Sequence, residues 1–333
     1  MLRQVLAAAV ISAVSCSVAV AADYNLRFQS FWQGGTTNQQ AFNAFAEEVK
    51  TLSKGRIAIE PLPADAIVPS TEMIDATAAG ILHGMHGGGA LHIKKDAAFA
   101  LVNDIPAGYD KPEQFLQWFY KGGGIELARE LYGKHGVHYI GPVMWGAESI
   151  PTKKKIARVE DFKGVKMRAP EGIAAQLFRK IGVGVSTLPG SEVYTALETG
   201  KIDATDWGSL GMNDQLGYGR IAQYAIYPGI HSMPAGEVAV HKATWDALPD
   251  DLKEVFVTAV RNLNDRMLAA NEKLDVEAVA KRDPATLLSW STEERMKLRK
   301  VAREAWAEWG EKSPMAKKLY ESHVEFMKSI GLL

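Results

Sequence analysis

The sequence predicts an α/β protein of two lobes around a cleft, with hinge strands between them and a helical C-terminal region. Three features predict it. Strand-period and helix-period segments alternate twice, as parallel sheets with helices on their faces require. Two long extended stretches, HYIGPVMWGAESIPTKKKI (138–156) and YAIYPGIHSMPAGEVAVHK (224–242), are placed to cross between the lobes. From Thr244 onward the pattern is almost wholly helical.

The first alternation opens with YNLRFQSFW (24–32), an aromatic-rich strand. Ala41, Phe42, Phe45, Ala46 and Val49 recur at helical spacing, which predicts a helix to about Ser53. RIAIEPL is a second strand, Ser70 is read as the N-cap of a helix through Ala79, and ILHGM is a third strand. GGG at 122–124 separates two helices. In the second alternation, VKMRA, VGVSTL and KIDATDW are strands, and helices between them close at Gly182 and Gly200. The resulting division is 1–22 a leader, 23–145 mainly the first lobe, and 146–240 mainly the second lobe with the hinge strands. The last segment, 241–333, forms helices packing across both lobes.

The chain has 333 residues, 47% hydrophobic and 23% charged, with a formal net charge of -1. That balance leaves no basic surplus for neutralising phosphates and argues against a nucleic-acid partner. The opening residues carry Arg3, an apolar run from Val5, and small residues at Ala19 and Ala21, the pattern of a secretory leader cleaved near Ala21 or Ala22. The only cysteine, Cys16, lies within it. Attachment of a lipid there is the alternative to a plain hydrophobic position. Once the leader is removed, disulfides, thiolate metal sites and a cysteine nucleophile are all excluded, which suits a bacterial periplasm.

Catalytic signatures are sparse. The sequence has no H-E-x-x-H, no G-x-S-x-G and no G-x-x-x-x-G-K-[ST]. GVGVST follows a helix instead of a strand, so it is not a dinucleotide loop. In HGMHGGGALH, His83, His86 and His92 sit among glycines in a strand-like pattern, which favours glycines lining a cleft wall over a metal site. The conspicuous residue is Arg168, an always-charged group at the tip of a core strand in GVKMRAPEG. It is either a solvated strand end or the partner of an anion.

DFKGVKMRAPEG and LPGSEVYTALETGKIDATDW resemble the solute-binding proteins of tripartite ATP-independent periplasmic (TRAP) transporters, the DctP family. WFYKGGGIELARELYGKHGV resembles the subgroup that binds 2-oxo acids and related monocarboxylates. The resemblance implies a two-lobed periplasmic binding protein fold and a binding function without catalysis. The ligand it implies is an organic acid anion (monocarboxylate, 2-oxo, hydroxy or aromatic acid), handed to the transporter's membrane subunits. Arg168 matches the arginine that grips the ligand carboxylate in this family, and Trp207 the aromatic wall beside it. Asp206 stands where subgroup members carry a glutamate. The PGWHEPG-like segment reads PGIHSMPAG here, with Ile230 and Ser232 replacing a tryptophan and an acid. A cation ligand is thus missing, and neither calcium nor sodium is assigned.

Glu148, His231, Asn213, Gln33 and Asn38 complete the expected ligand-binding set as polar candidates along the cleft. The competing reading is a secreted enzyme that holds a carboxylic acid on Arg168 and uses Glu148 or His231 as base. Trp306 and Trp309 in the helical tail pack either on their own chain or on a second copy in a homodimer.

Overall fold

The computed structural model describes residues 22–188 and 190–333. The leader reading and Cys16 lie outside the described residues, apart from residue 22. The first lobe begins β1 (Tyr24–Ser30), α1 (Thr37–Leu52), β2 (Ile57–Leu62), α2 (Met73–Ala78) and β3 (Gly84–Gly88). It continues through α3 (Ala98–Asn103), α4 (Pro112–Lys121), α5 (Gly124–Gly133) and β4 (Val137–Met144). The second lobe contributes β5 (Ile150–Thr152), β6 (Lys166–Arg168), α6 (Ile173–Lys180), β7 (Gly184–Ser186), α7 (Val193–Glu198), β8 (Ala204–Thr205), α8 (Leu210–Gln215) and β9 (Tyr224–Ile226). The chain then returns as β10 (Ala235–His241) and finishes with α9 (Lys242–Ala247), α10 (Asp250–Lys281), β11 (Leu287–Leu288), α11 (Thr292–Gly310) and α12 (Pro314–Ser329).

The strands form two sheets. The first has the order β2-β1-β3-β10-β4 and the second β11-β9-β5-β8-β6-β7. Within each, the βαβ units run parallel: β1 beside β2 and β3, and β6 beside β7 and β8. The two extended stretches do cross. β4 lies in the first sheet and β5 in the second; β9 lies in the second and β10 in the first, antiparallel to β3 and β4. The crossings touch where the Glu148 amide donates to the Ser232 carbonyl at 3.0 Å. Gly229 makes this approach possible, because a Cβ there would come within 2.2 Å of the Glu148 carbonyl oxygen.

The helix α10 has 32 residues, about 48 Å at 1.5 Å per residue. It lies against α1 and β4 of the first lobe and α8 of the second, while α11 rests on α6 and α12 on α3 and α5. Trp306 and Trp309 are buried within their own chain, their indole N–H groups donating to the carbonyls of Pro106 and Ala97 at 2.9 and 2.7 Å.

Two local expectations are corrected. Ser70 does not cap a helix: it opens a short 3₁₀ turn, takes both backbone and hydroxyl bonds to Asp65 Oδ1, and α2 begins only at Met73. The glycines around His86 do not line a cleft wall. β3 is buried along its whole length, and a Cβ at Gly84 would meet the Phe28 ring at 2.4 Å, so glycine there admits a packed aromatic. His86 donates from Nδ1 to the Glu237 carbonyl and accepts the Trp32 indole N–H, whereas His83 accepts the Arg27 amide and His92 faces Glu237. The three imidazoles thus point to different partners, with His86 and His92 sharing Glu237 through its carbonyl and its carboxylate.

Candidate functional site

The site forms where the two crossing segments meet the tips of β6 and β8. Arg168 is the last residue of β6, paired with Thr205 on one side and Ser186 on the other. This places its guanidinium at the end of an interior strand, and only 8% of the residue is exposed. Nε donates to the Leu188 carbonyl at 3.1 Å and Nη1 to the Asp206 carbonyl. Both partners are neutral oxygens. Among the described residues no carboxylate forms a contact ion pair with Arg168, and Nη2 has no hydrogen-bond partner. Burial pushes the guanidinium's pKa downward, opposed by the charges of Asp206 and Glu148.

Trp207 follows Asp206 and lies half-buried under this group, with the guanidinium carbon 5.1 Å from the indole centroid. Gly190 is the reason the indole fits. A Cβ at that position would fall 2.0 Å from Trp207 Cη2. The Leu-Pro-Gly of the sequence motif therefore supplies, through Leu188 and Gly190, a carbonyl for Arg168 and space for its aromatic wall.

Glu148 comes from the first crossing, Asp206 from the end of β8, and His231 from the second crossing. One donor atom of each lies within 4.8 Å of those of the other two, and all three residues are buried. His231 Nε2 stands 3.1 Å from Asp206 Oδ1. The approach is close without hydrogen-bond alignment: both Asp206 oxygens and both His231 nitrogens are buried with no aligned partner. The acids divide their roles. Burial, then the charge of Asp206, pushes the Glu148 carboxyl well above its ordinary range, despite the Trp145 indole N–H donating to Oε1 at 3.0 Å. Burial would also raise Asp206, but the neighbouring His231, Glu148 and Arg168 together pull it below its ordinary range. Of the two, Glu148 is the acid whose surroundings favour the protonated form and Asp206 the one whose surroundings favour the charge.

Asp104, at the C-terminal end of α3, is a member that the sequence analysis did not select. Its carboxylate accepts the Met233 amide at 3.4 Å and faces Ser232 and His231, and burial raises it to about 7. No motif surrounds it; only the fold brings α3 to the second crossing. Of the other candidates, Asn213 is fully buried. It donates to Ser149 Oγ at 3.0 Å and to the Gly208 carbonyl at 2.8 Å, leaving Oδ1 unpartnered. Asn38 is tied into a structural contact, accepting from Asn271 at 2.8 Å and lying 3.5 Å from the Met212 sulfur. Gln33 is half-exposed, and its carbonyl accepts from the Thr36 amide and hydroxyl in the turn before α1.

The set does not suit a hard cation. Calcium takes six to eight oxygens, whereas here one of three converging donors is an imidazole nitrogen and a Glu148 oxygen is occupied by Trp145.

Residues 28–313 match the family model described as bacterial extracellular solute-binding protein, family 7, DctP. The chain belongs to the DctP family. It is 32% identical, over 86% of its length and 79% of the other's, to the monocarboxylate 2-oxoacid-binding periplasmic protein of a Nostoc species. A TRAP periplasmic solute-binding protein from Rhodobacter sphaeroides, solved in an apo open form, is 36% identical, with a TM-score of 0.79 over 92% of this chain and 99% of that one. Another from Pseudoalteromonas atlantica, solved with sodium and pyruvate, is 25% identical at a TM-score of 0.79, over 92% of this chain and 94% of that one. As a DctP-family member, this protein is a TRAP solute-binding protein: it takes up a small organic ligand and works with membrane permease subunits. DctP-family proteins act in the periplasm, and their fold and family are those of binding proteins, not enzymes.

Proposed function

We propose that this DctP-family protein captures a small organic acid anion between its lobes, with the ligand carboxylate on Arg168. The supporting observation is the state of that guanidinium: buried at a strand tip, fixed by two backbone carbonyls, and without a contact carboxylate among the described residues. A desolvated cation of this kind is costly unless an anion completes it, and a planar fork suits a carboxylate best. Trp207 offers a flat wall to the carbon skeleton. His231 offers an unsatisfied ring nitrogen that can donate to a 2-oxo oxygen, whereas Asn213 Oδ1 and the Asp206 oxygens can accept from a 2-hydroxyl. Pyruvate in the Pseudoalteromonas structure and the 2-oxoacid name of the Nostoc relative agree with this class.

Because the crossings supply Glu148 and His231 while β6 and β8 supply Arg168 and Asp206, a ligand touching all four favours one disposition of the lobes. The deciding experiment is a calorimetric and thermal-shift screen of the mature chain against 2-oxo, 2-hydroxy and aromatic monocarboxylates, with amines and neutral sugars as controls. One class of acid is expected to bind at one equivalent and to be recovered chemically unchanged. Binding confined to amines or sugars, or turnover of the acid, would refute the proposal.

A further inference from the structure

We propose a second ligand site on the outer side of the first lobe, built for a small organic monoanion with an apolar body. A cavity of about 230 Å³ opens there between α4, α5, β4 and α10. It shares no residue with the Arg168 cluster, and the proposal does not depend on what that cluster binds. At about 30 Å³ per water, the space equals roughly eight waters, or one ring bearing a carboxylate.

Charge and shape fix the ligand class. Arg129 from α5 and Arg261 from α10 both line the cavity, and neither forms an ion pair with a carboxylate among the described residues. The stem of Arg129 is pinned by its Nε donating to the Tyr139 carbonyl at 3.3 Å, which leaves both terminal nitrogens unbonded among the described residues. The Arg261 guanidinium lies 5.2 Å from the Tyr120 ring centroid, held against that face. Glu126 is the one acid in the lining, which therefore carries two positive charges and one negative and leaves room for a monoanion; Asp265, one turn past Arg261 on α10, acts on Tyr120 from outside the lining.

The remaining walls are apolar, with Phe119, Ile140 and Val260 nearly fully buried. Gly141 keeps the floor open. A Cβ there would stand 3.2 Å from Val260 Cγ1 and 3.8 Å from the Tyr120 hydroxyl, inside the space a ligand body needs. Two guanidinium-bearing side chains lining one apolar-floored cavity suit a carboxylate attached to a hydrocarbon or ring better than a bare anion.

The test uses sodium benzoate as probe on the mature chain carrying Arg168→Met, which silences the first site. Calorimetry is expected to show one benzoate per chain, with sodium acetate at least tenfold weaker. Adding Arg129→Gln together with Arg261→Gln should weaken benzoate at least tenfold while the chain stays folded by circular dichroism, the loss of the Tyr139 and Tyr120 contacts lowering the melting temperature only slightly. Gly141→Ala should weaken it as well, through volume and not charge. As an independent readout, wild-type crystals soaked in 4-bromobenzoate should show bromine between α5 and α10. Benzoate affinity unchanged by the double substitution, acetate binding as tightly as benzoate, or no bromine at this position would each overturn the proposal.

Discussion

The guanidinium carbon of Arg168 lies over the indole of Trp207, 5.1 Å from the ring centroid, at adjoining strand tips of the second lobe. The contact restricts the long side chain to one rotamer before any ligand arrives, while the carbonyls of Leu188 and Asp206 fix its roll. Preorganisation of this kind lowers the entropy lost on binding.

Arg168→Met retains the stem against Trp207 and removes the fork. Affinity for the acid should fall by about 3 kcal/mol or more, over a hundredfold, because the ligand carboxylate would be left buried without its partner. Arg168→Lys should recover only part of this, since one ammonium cannot present two parallel donors. Calorimetry on both variants checks the order; equal affinity for wild type and the methionine variant would remove Arg168 from the site.

Gly190→Ala tests the wall behind the fork. The new methyl collides with the far edge of the Trp207 ring, which must leave its place under Arg168. Acid affinity is expected to fall about tenfold, with tryptophan fluorescence altered in the unliganded protein. A variant with unchanged affinity and spectrum would show that the indole adapts freely.

The periodic parts of this fold were legible because hydrophobic spacing reports local burial: both βαβ series and the helical C-terminal region follow directly from it. The crossings were legible too, as long extended stretches between the series. Arg168, Trp207 and Asp206 stood out through an ordered motif. Asp104 had no comparable signal, since it lies at the end of an unremarkable helix and reaches the site only when β10 returns to the first sheet. Ser70 misled because a serine before a helical run can equally start a 3₁₀ turn that Asp65 stabilises. Asn38 sat at the right end of the first lobe, but its carbonyl oxygen faces Asn271 on α10, a distant segment.

Cation dependence is a direct test of the Glu148–Asp206–His231 donor set. Chelation followed by millimolar calcium or sodium is expected to change acid affinity by less than twofold, because His231 contributes nitrogen where a hard ion requires oxygen. Ser232→Glu, which adds an acid to the same loop, should create a calcium response where wild type shows none. A strong calcium dependence in the wild type would mean that Glu148 and Asp206 complete the coordination despite the imidazole.

Asp104 should make stability depend on pH in a definite direction. Its carboxyl is raised from 3.8 to about 7, so between those values the folded chain holds a proton that the unfolded chain has released. Stability from this residue is therefore full below about pH 4 and declines as pH rises toward 7, by on the order of 4 kcal/mol at about 1.4 kcal/mol per pH unit. Buried histidines work oppositely over the acid part of this range: burial lowers His138 to about 4 and His323 to about 3, so each favours the folded state more as pH rises. The bare melting curve mixes these contributions, and the comparison with Asp104→Asn separates them. Asparagine keeps an oxygen for the Met233 amide but cannot ionise, so the variant should gain stability relative to wild type between pH 5 and pH 8. Denaturant titrations of both proteins across that interval provide the measurement. Parallel curves would place the Asp104 carboxyl at its ordinary value and detach it from the cluster around His231.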